Sequence, residues 1–143
     1  MKVEEILKKL RENDDVKEVV SGDYLSFFKR IGDNKSVTKV MDFKPDYFVN
    51  YFDGSFDCVV FTDNVFSVFS HLSKLLIFKR LNCELDFKSI IFYSKESKLL
   101  ESEDLGLITE KKKVDTLDAK NFILELINDF EKRLGKKVVL HIE

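Results

Sequence analysis

The chain has 143 residues, 44% of them hydrophobic, which is the size and make-up of one folded domain and not of a disordered segment. Its 24 basic and 26 acidic residues leave a formal net charge of −2, which excludes a global pull toward nucleic acid or an anionic membrane but not a local basic patch. No apolar run reaches the length of a membrane span and the charged start Met1-Lys2-Val3-Glu4-Glu5 lacks the form of a signal peptide, so a cytoplasmic chain is expected.

Val3, Ile6, Leu7 and Leu10 recur at helical spacing, and Asn13-Asp14-Asp15 ends that first helix. Val16 to Val20 reads as a short strand, broken by Ser21-Gly22-Asp23. Leu25, Phe28 and Ile31 share one face of a second helical segment, which Gly32 suits as a terminator. Ser36 to Phe43 alternates and reads as a strand ending at Asp42, with Lys44-Pro45-Asp46 as its stop. Tyr47 to Phe52 is aromatic and fits a strand or an irregular loop equally well.

Phe56 to Phe61 is the focal strand: a brief apolar run entered through the acidic turn at Asp53 and left through Thr62-Asp63-Asn64. Asn64 is a good N-cap for a helix carrying Val65, Val68, Phe69, Leu72, Leu75 and Leu76 on one side and ending near Asn82. Phe87 to Tyr93 is another buried-strand candidate, Ser94 to Gly106 is charged, and Leu107 to Val114 is ambiguous. In the last helix Thr116 can cap, Phe122, Ile123, Leu126, Ile127, Phe130 and Leu134 form the apolar face, and Gly135 ends it. Val138 to Ile142 is a final strand.

Strands alternating with helices imply a single α/β domain: a three-layer, Rossmann-like fold with a mostly parallel sheet. Strands near 16–20, 37–42, 57–61 and 88–93 are expected to be parallel neighbours, with helices 65–81 and 117–134 packed on the sheet. Right-handed crossovers then bring three polar corners, Ser21-Gly22-Asp23, Asp42-Phe43 and Thr62-Asp63-Asn64, to the carboxyl edge where such sheets bind ligands. A helix N-terminus suits an anion, and an acid at a strand end can accept hydrogen bonds from a ribose diol. The same residue types also serve as plain helix caps and turns. Cys58, Cys83, His71 and His141 have no tight zinc-ligand spacing, and Lys111-Lys112-Lys113 reads as a solvated turn.

From Val16 to Ser94 the chain resembles a shortened class I methyltransferase that uses S-adenosylmethionine. Val16-Lys-Glu-Val-Val-Ser-Gly-Asp23 stands where that family has its first strand and glycine-rich loop, Val37-Thr-Lys-Val-Met-Asp42 where it has its second strand with a terminal acid, and Asp53 to Phe61 where it has the fourth. The resemblance implies a cofactor site of Gly22, Asp23, Asp42, Asp63 and Asn64, in which Gly22 approaches the methionine moiety, Asp42 holds the ribose, and Asp63 or Asn64 lies near cofactor and substrate. The loop keeps one glycine where the family has two or three, and little chain lies between Asp42 and Phe56. The expected function is therefore binding of S-adenosylmethionine or a related nucleoside. The alternative is a non-catalytic α/β binding or scaffold protein derived from the same fold, with a protein partner or a second copy. No membrane partner is expected and no nucleic-acid motif stands out. A third reading takes Asp42, Asp53, Asp57 and Asp63 as metal ligands of a small nuclease, although strand polarity separates Asp57 from Asp63.

Overall fold

A computed structural model describes residues 3–22, 43–62, 64–81, 85–94 and 116–142. Helix α1, Val3–Arg11, has acids in its first turn and bases in its last, which complements the helix dipole, and it buries Ile6 and Leu7. Asn13 Oδ1 accepts the Asp15 N–H at 2.9 Å, and this tight turn delivers the chain into strand β1, Val16–Ser21. Strand β2 is Tyr47–Tyr51 and strand β3 is Phe56–Phe61. Between them the chain turns through Gly54 at φ 89°, a left-handed conformation that glycine adopts without strain. Asp53 Oδ1 holds that turn, accepting from the Ser55 N–H at 2.9 Å and its hydroxyl at 2.6 Å.

Helix α2, Val65–Arg80, is capped by Asn64, whose Oδ1 accepts the Ser67 N–H at 2.9 Å. Strand β4, Ser89–Ser94, follows, and helix α3, Thr116–Leu134, leads into strand β5, Lys137–Ile142. Gly135 ends α3 at φ 66°.

The five strands lie in sequence order, β1-β2-β3-β4-β5. β1 with β2 and β2 with β3 are antiparallel, whereas β3 with β4 and β4 with β5 are parallel. The sheet is thus mixed, in place of the mostly parallel Rossmann-like sheet expected. The reason is local: four residues between Tyr51 and Phe56 suffice for a hairpin, while a parallel connection needs a crossover of a dozen or more. Strands 57–61 and 88–93 are parallel neighbours as expected, but β1 is separated from β3 by β2. The expected strand 37–42 lies outside the described residues.

Pleating divides the core into two clusters. On one face Leu7 of α1 packs with Val16, Val19, Val49 and Val59. On the other, Phe48, Cys58, Val60, Ile90, Phe92 and Val138 meet Val68, Leu72, Leu75 and Phe78 of α2 and Ile123 and Ile127 of α3. The layers are therefore α/β/α, with α2 and α3 on the same face. β3 alternates inside and inside, not inside and outside: Phe56 through Val60 are all buried.

On α3, Ile123, Ile127 and Leu134 are buried and Phe130 stacks on Phe69 at 5.9 Å, while Leu126, expected on the apolar face, is half-buried at its margin. Ile127→Ala should cost about 2–5 kcal/mol in urea denaturation, and Leu126→Ala clearly less. Equal costs would mean that the buried face of α3 is centred one residue away.

Candidate functional site

Because β1 and β3 are each antiparallel to β2, they run in the same direction. The carboxyl ends of β1, β3, β4 and β5 therefore share one edge with the start of β2. Gly22, Thr62 and Asn64 all reach this edge, as the sequence implied. Asp23, Asp42 and Asp63, the other expected cofactor-binding residues, lie outside the described residues.

What Gly22 does there differs from the expectation. It is buried, its N–H donates to the Asp46 carbonyl at 2.9 Å, and a Cβ built on it would stand 2.2 Å from the Pro45 carbonyl oxygen. The space freed by the missing side chain is filled by Pro45. Asn64 spends its side-chain oxygen on the α2 cap. Asp46 was legible in the sequence only as part of a stop, yet it ties three strands. Its carbonyl receives Gly22, its N–H donates to the Val59 carbonyl at 2.9 Å, and its Oδ2 accepts the Phe61 N–H at 2.7 Å.

Thr62 is 7% exposed and its N–H donates to the Tyr93 carbonyl at 3.0 Å. Its hydroxyl oxygen is buried and has no hydrogen-bond partner among the described residues. Such a group costs about 1–3 kcal/mol unless something satisfies it. A row of rings crosses the sheet beside it. Tyr47 meets Phe61 edge-on at 5.9 Å, Phe61 stacks on Tyr93 at 5.7 Å, and Tyr93 stacks on His141 at 4.8 Å with 9° between planes. Burial pushes the Tyr93 phenol above the ordinary tyrosine range. His71 belongs to the packing instead: its Nδ1–H donates to the Ser67 carbonyl at 2.6 Å and its ring lies edge-on to Phe43 and Phe92.

A second polar group sits at the amino end of β3, where periodicity offered no signal for it. Asp57 is 4% exposed and accepts a hydrogen bond from the Tyr51 hydroxyl through Oδ2, while Oδ1 is buried and has no partner among the described residues. Tyr51, Asn13, Asp15, Phe52, Asp53 and Lys88 line a cavity of about 430 Å³, and the Lys88 Nζ lies 5.0 Å from the Tyr51 ring centre. Burial first, and then the Asp57 carboxylate, push the Tyr51 phenol well above its ordinary value. The Ser55 hydroxyl and N–H hold the Asp53 carboxyl below its usual range. Five residues of strand separate Asp57 from Thr62, about 17 Å at 3.3 Å per residue. The two ends of β3 are thus separate places. Among the described residues no three His, Cys, Asp or Glu side chains are grouped to hold a metal ion.

The chain matches no family model, no curated protein and no solved structure.

Two outcomes follow from this geometry. Gly22→Ala should destabilise the ligand-free protein by about 1–3 kcal/mol, because the new methyl meets backbone. An unchanged melting temperature would return Gly22 to a role in ligand approach. Tyr51→Phe should cost about 1–3 kcal/mol, since both Asp57 oxygens are then buried without partners. The wild-type Tyr51 phenol is raised in the folded state, so the native protein holds its proton while the unfolded chain releases it. That contribution is complete below the ordinary tyrosine value near 10 and falls away as pH rises above it. Denaturation from pH 9 upward should therefore show a steeper loss in the wild type than in Tyr51→Phe; parallel curves would remove Tyr51 as the source.

Proposed function

We propose that this domain binds a small nucleoside-type ligand at the carboxyl edge of its sheet, S-adenosylmethionine being the nucleoside that the methyltransferase resemblance implies. The observation that carries the reading is Thr62, whose buried hydroxyl has no partner among the described residues at the end of the central strand, two residues before the N-cap of α2. A ligand polar group placed there would satisfy it. The N-terminus of α2 has no acidic residue in its first turn, so its free N–H groups suit a ligand oxygen. If S-adenosylmethionine is the ligand, its sulfonium supplies the activation, and the chain's own residues have only to bind and orient it.

A second reading, a non-catalytic α/β binding or scaffold protein, is favoured by a specific pair of observations. Gly22 is filled by Pro45 and Asn64 is spent as a cap, so two of the residues the resemblance assigns to the cofactor have structural work instead. Binding is therefore better supported than methyl transfer.

The test is thermal denaturation with S-adenosylmethionine and with its demethylated product. At a hundredfold excess over Kd the gain should be about 2.7 kcal/mol, a rise of a few degrees. Thr62→Val should leave the ligand-free protein as stable or more so, because it removes an unpartnered hydroxyl, and should weaken binding about tenfold. Asp42→Ala should weaken it by at least about tenfold through the lost ribose contact. No shift in the wild type at millimolar ligand would end the nucleoside reading in favour of the scaffold. A shift that Thr62→Val leaves intact would move the ligand away from α2.

A further inference from the structure

The cavity of about 430 Å³ at the amino edge lies between two turns and the entry to β4, and its backbone is pinned before any ligand arrives. In the turn before β1 the Asn13 carbonyl accepts the Val16 N–H at 3.0 Å. The β2–β3 hairpin is closed by the Tyr51 N–H on the Ser55 carbonyl at 2.9 Å and the Gly54 N–H on the Tyr51 carbonyl at 3.1 Å. The Phe52 N–H ties the two turns together, donating to the Asp15 carbonyl at 3.1 Å. Lys88 is fixed from the third side by its N–H, which donates to the Phe56 carbonyl at 2.8 Å.

Phe52 is 70% exposed, the most exposed large apolar side chain among the described residues. Asp53 and Gly54 shape the hairpin turn, and its hydrogen bonds make no use of a ring at 52. Around that ring the cavity presents the carboxylates of Asp15 and Asp53, the amide of Asn13 and the ammonium of Lys88. Among the described residues the Lys88 ammonium has no carboxylate partner and faces only the Tyr51 ring, at 5.0 Å. The Tyr51 hydroxyl donates to Asp57, whose buried Oδ1 has no partner among the described residues. The polarity of this corner is thus not used up within the described protein.

We propose that this cavity binds a neutral pyranose sugar stacked on Phe52. One face of a pyranose is a patch of C–H groups, whose positive hydrogens suit the negative face of an aromatic ring. Its hydroxyls lie around the rim and both donate and accept, which matches two carboxylates, an amide and an ammonium set around one ring. Simple ions fit less well: an anion meets Asp15 and Asp53, and a cation meets Lys88. A single-stranded nucleic acid could stack on Phe52, but its phosphates would face Glu12 and Asp14 of the adjoining turn as well. The cavity lies at the edge opposite Thr62 and does not depend on the nucleoside reading.

The measurement is saturation-transfer difference NMR of the full chain with the hexasaccharides of glucose (β1→4 and α1→4), mannose and N-acetylglucosamine, each at about 5 mM. At least one is expected to bind with Kd of about 1 mM or tighter, and with less than about twofold change between 50 and 500 mM salt. Phe52→Ala should weaken that binding at least about tenfold and leave the melting temperature unchanged, because the side chain is exposed. Phe52→Tyr, which keeps the ring, should bind within about twofold of the wild type. Lys88→Gln should weaken binding about threefold. Phe66→Ala, which removes a partly exposed ring on α2, should change it by less than about twofold. The proposal is overturned if none of the four sugars binds, or if Phe52→Ala binds as well as the wild type. It is also overturned if free lysine, free glutamate or a twelve-nucleotide oligothymidine binds in a Phe52-dependent manner while the sugars do not.

Discussion

Strand β3 is the constraint on which the rest of this structure depends. It is buried on both faces and it is the one strand paired antiparallel on one side and parallel on the other. A strand in that position must be apolar along its length, because alternate side chains enter two different cores. Cys58 and Val60 pack under α2 and α3, and Val59 packs under α1. On the β1 side the four residues between β2 and β3 form a hairpin, and on the β5 side parallel pairing requires long crossovers. The two halves have opposite design rules, and β3 obeys both.

This arrangement concentrates unmet polarity at the two ends of one strand. Asp57 Oδ1 and Thr62 Oγ1 are the buried side-chain oxygens without partners among the described residues. Interiors rarely tolerate such groups, so each marks a place where packing alone does not explain the residue. Tyr51 meets half of the demand at Asp57. Nothing in the described protein meets it at Thr62, and the proposed ligand is placed at the carboxyl edge for that reason.

The direction of the helices has an electrostatic consequence as well. Crossovers of one hand on one face place two helix C-termini side by side, and the cations that stabilise each end are brought together. Along the chain Lys79-Arg80 and Lys132-Arg133 look like separate, routine helix ends. In space they meet at one groove, where Lys79 caps α3 through the Arg133 carbonyl.

The parts legible in the sequence were those governed by short-range periodicity and capping. The helices 65–81 and 117–134, the Asn64 cap, the Gly135 stop and the strands around β3, β4 and β5 all follow from spacing and from residues that terminate structure. Strand β2 was not decidable, because Tyr47 to Tyr51 is apolar or aromatic nearly throughout and shows no period. Only the tertiary structure decided strand order and polarity. Strand pairing joins residues far apart in the chain, and a local pattern does not record which neighbour a strand selects. The same holds for the sites. Gly22 is required by the nearby Pro45 carbonyl, Asp46 matters because three strands converge on it, and Asp57 matters because it is buried beside Tyr51. The sequence offered Gly22 as a strand break and cofactor contact, Asp46 as part of a stop and Asp57 as a metal-ligand candidate, and only proximity across the sheet revealed what each one holds.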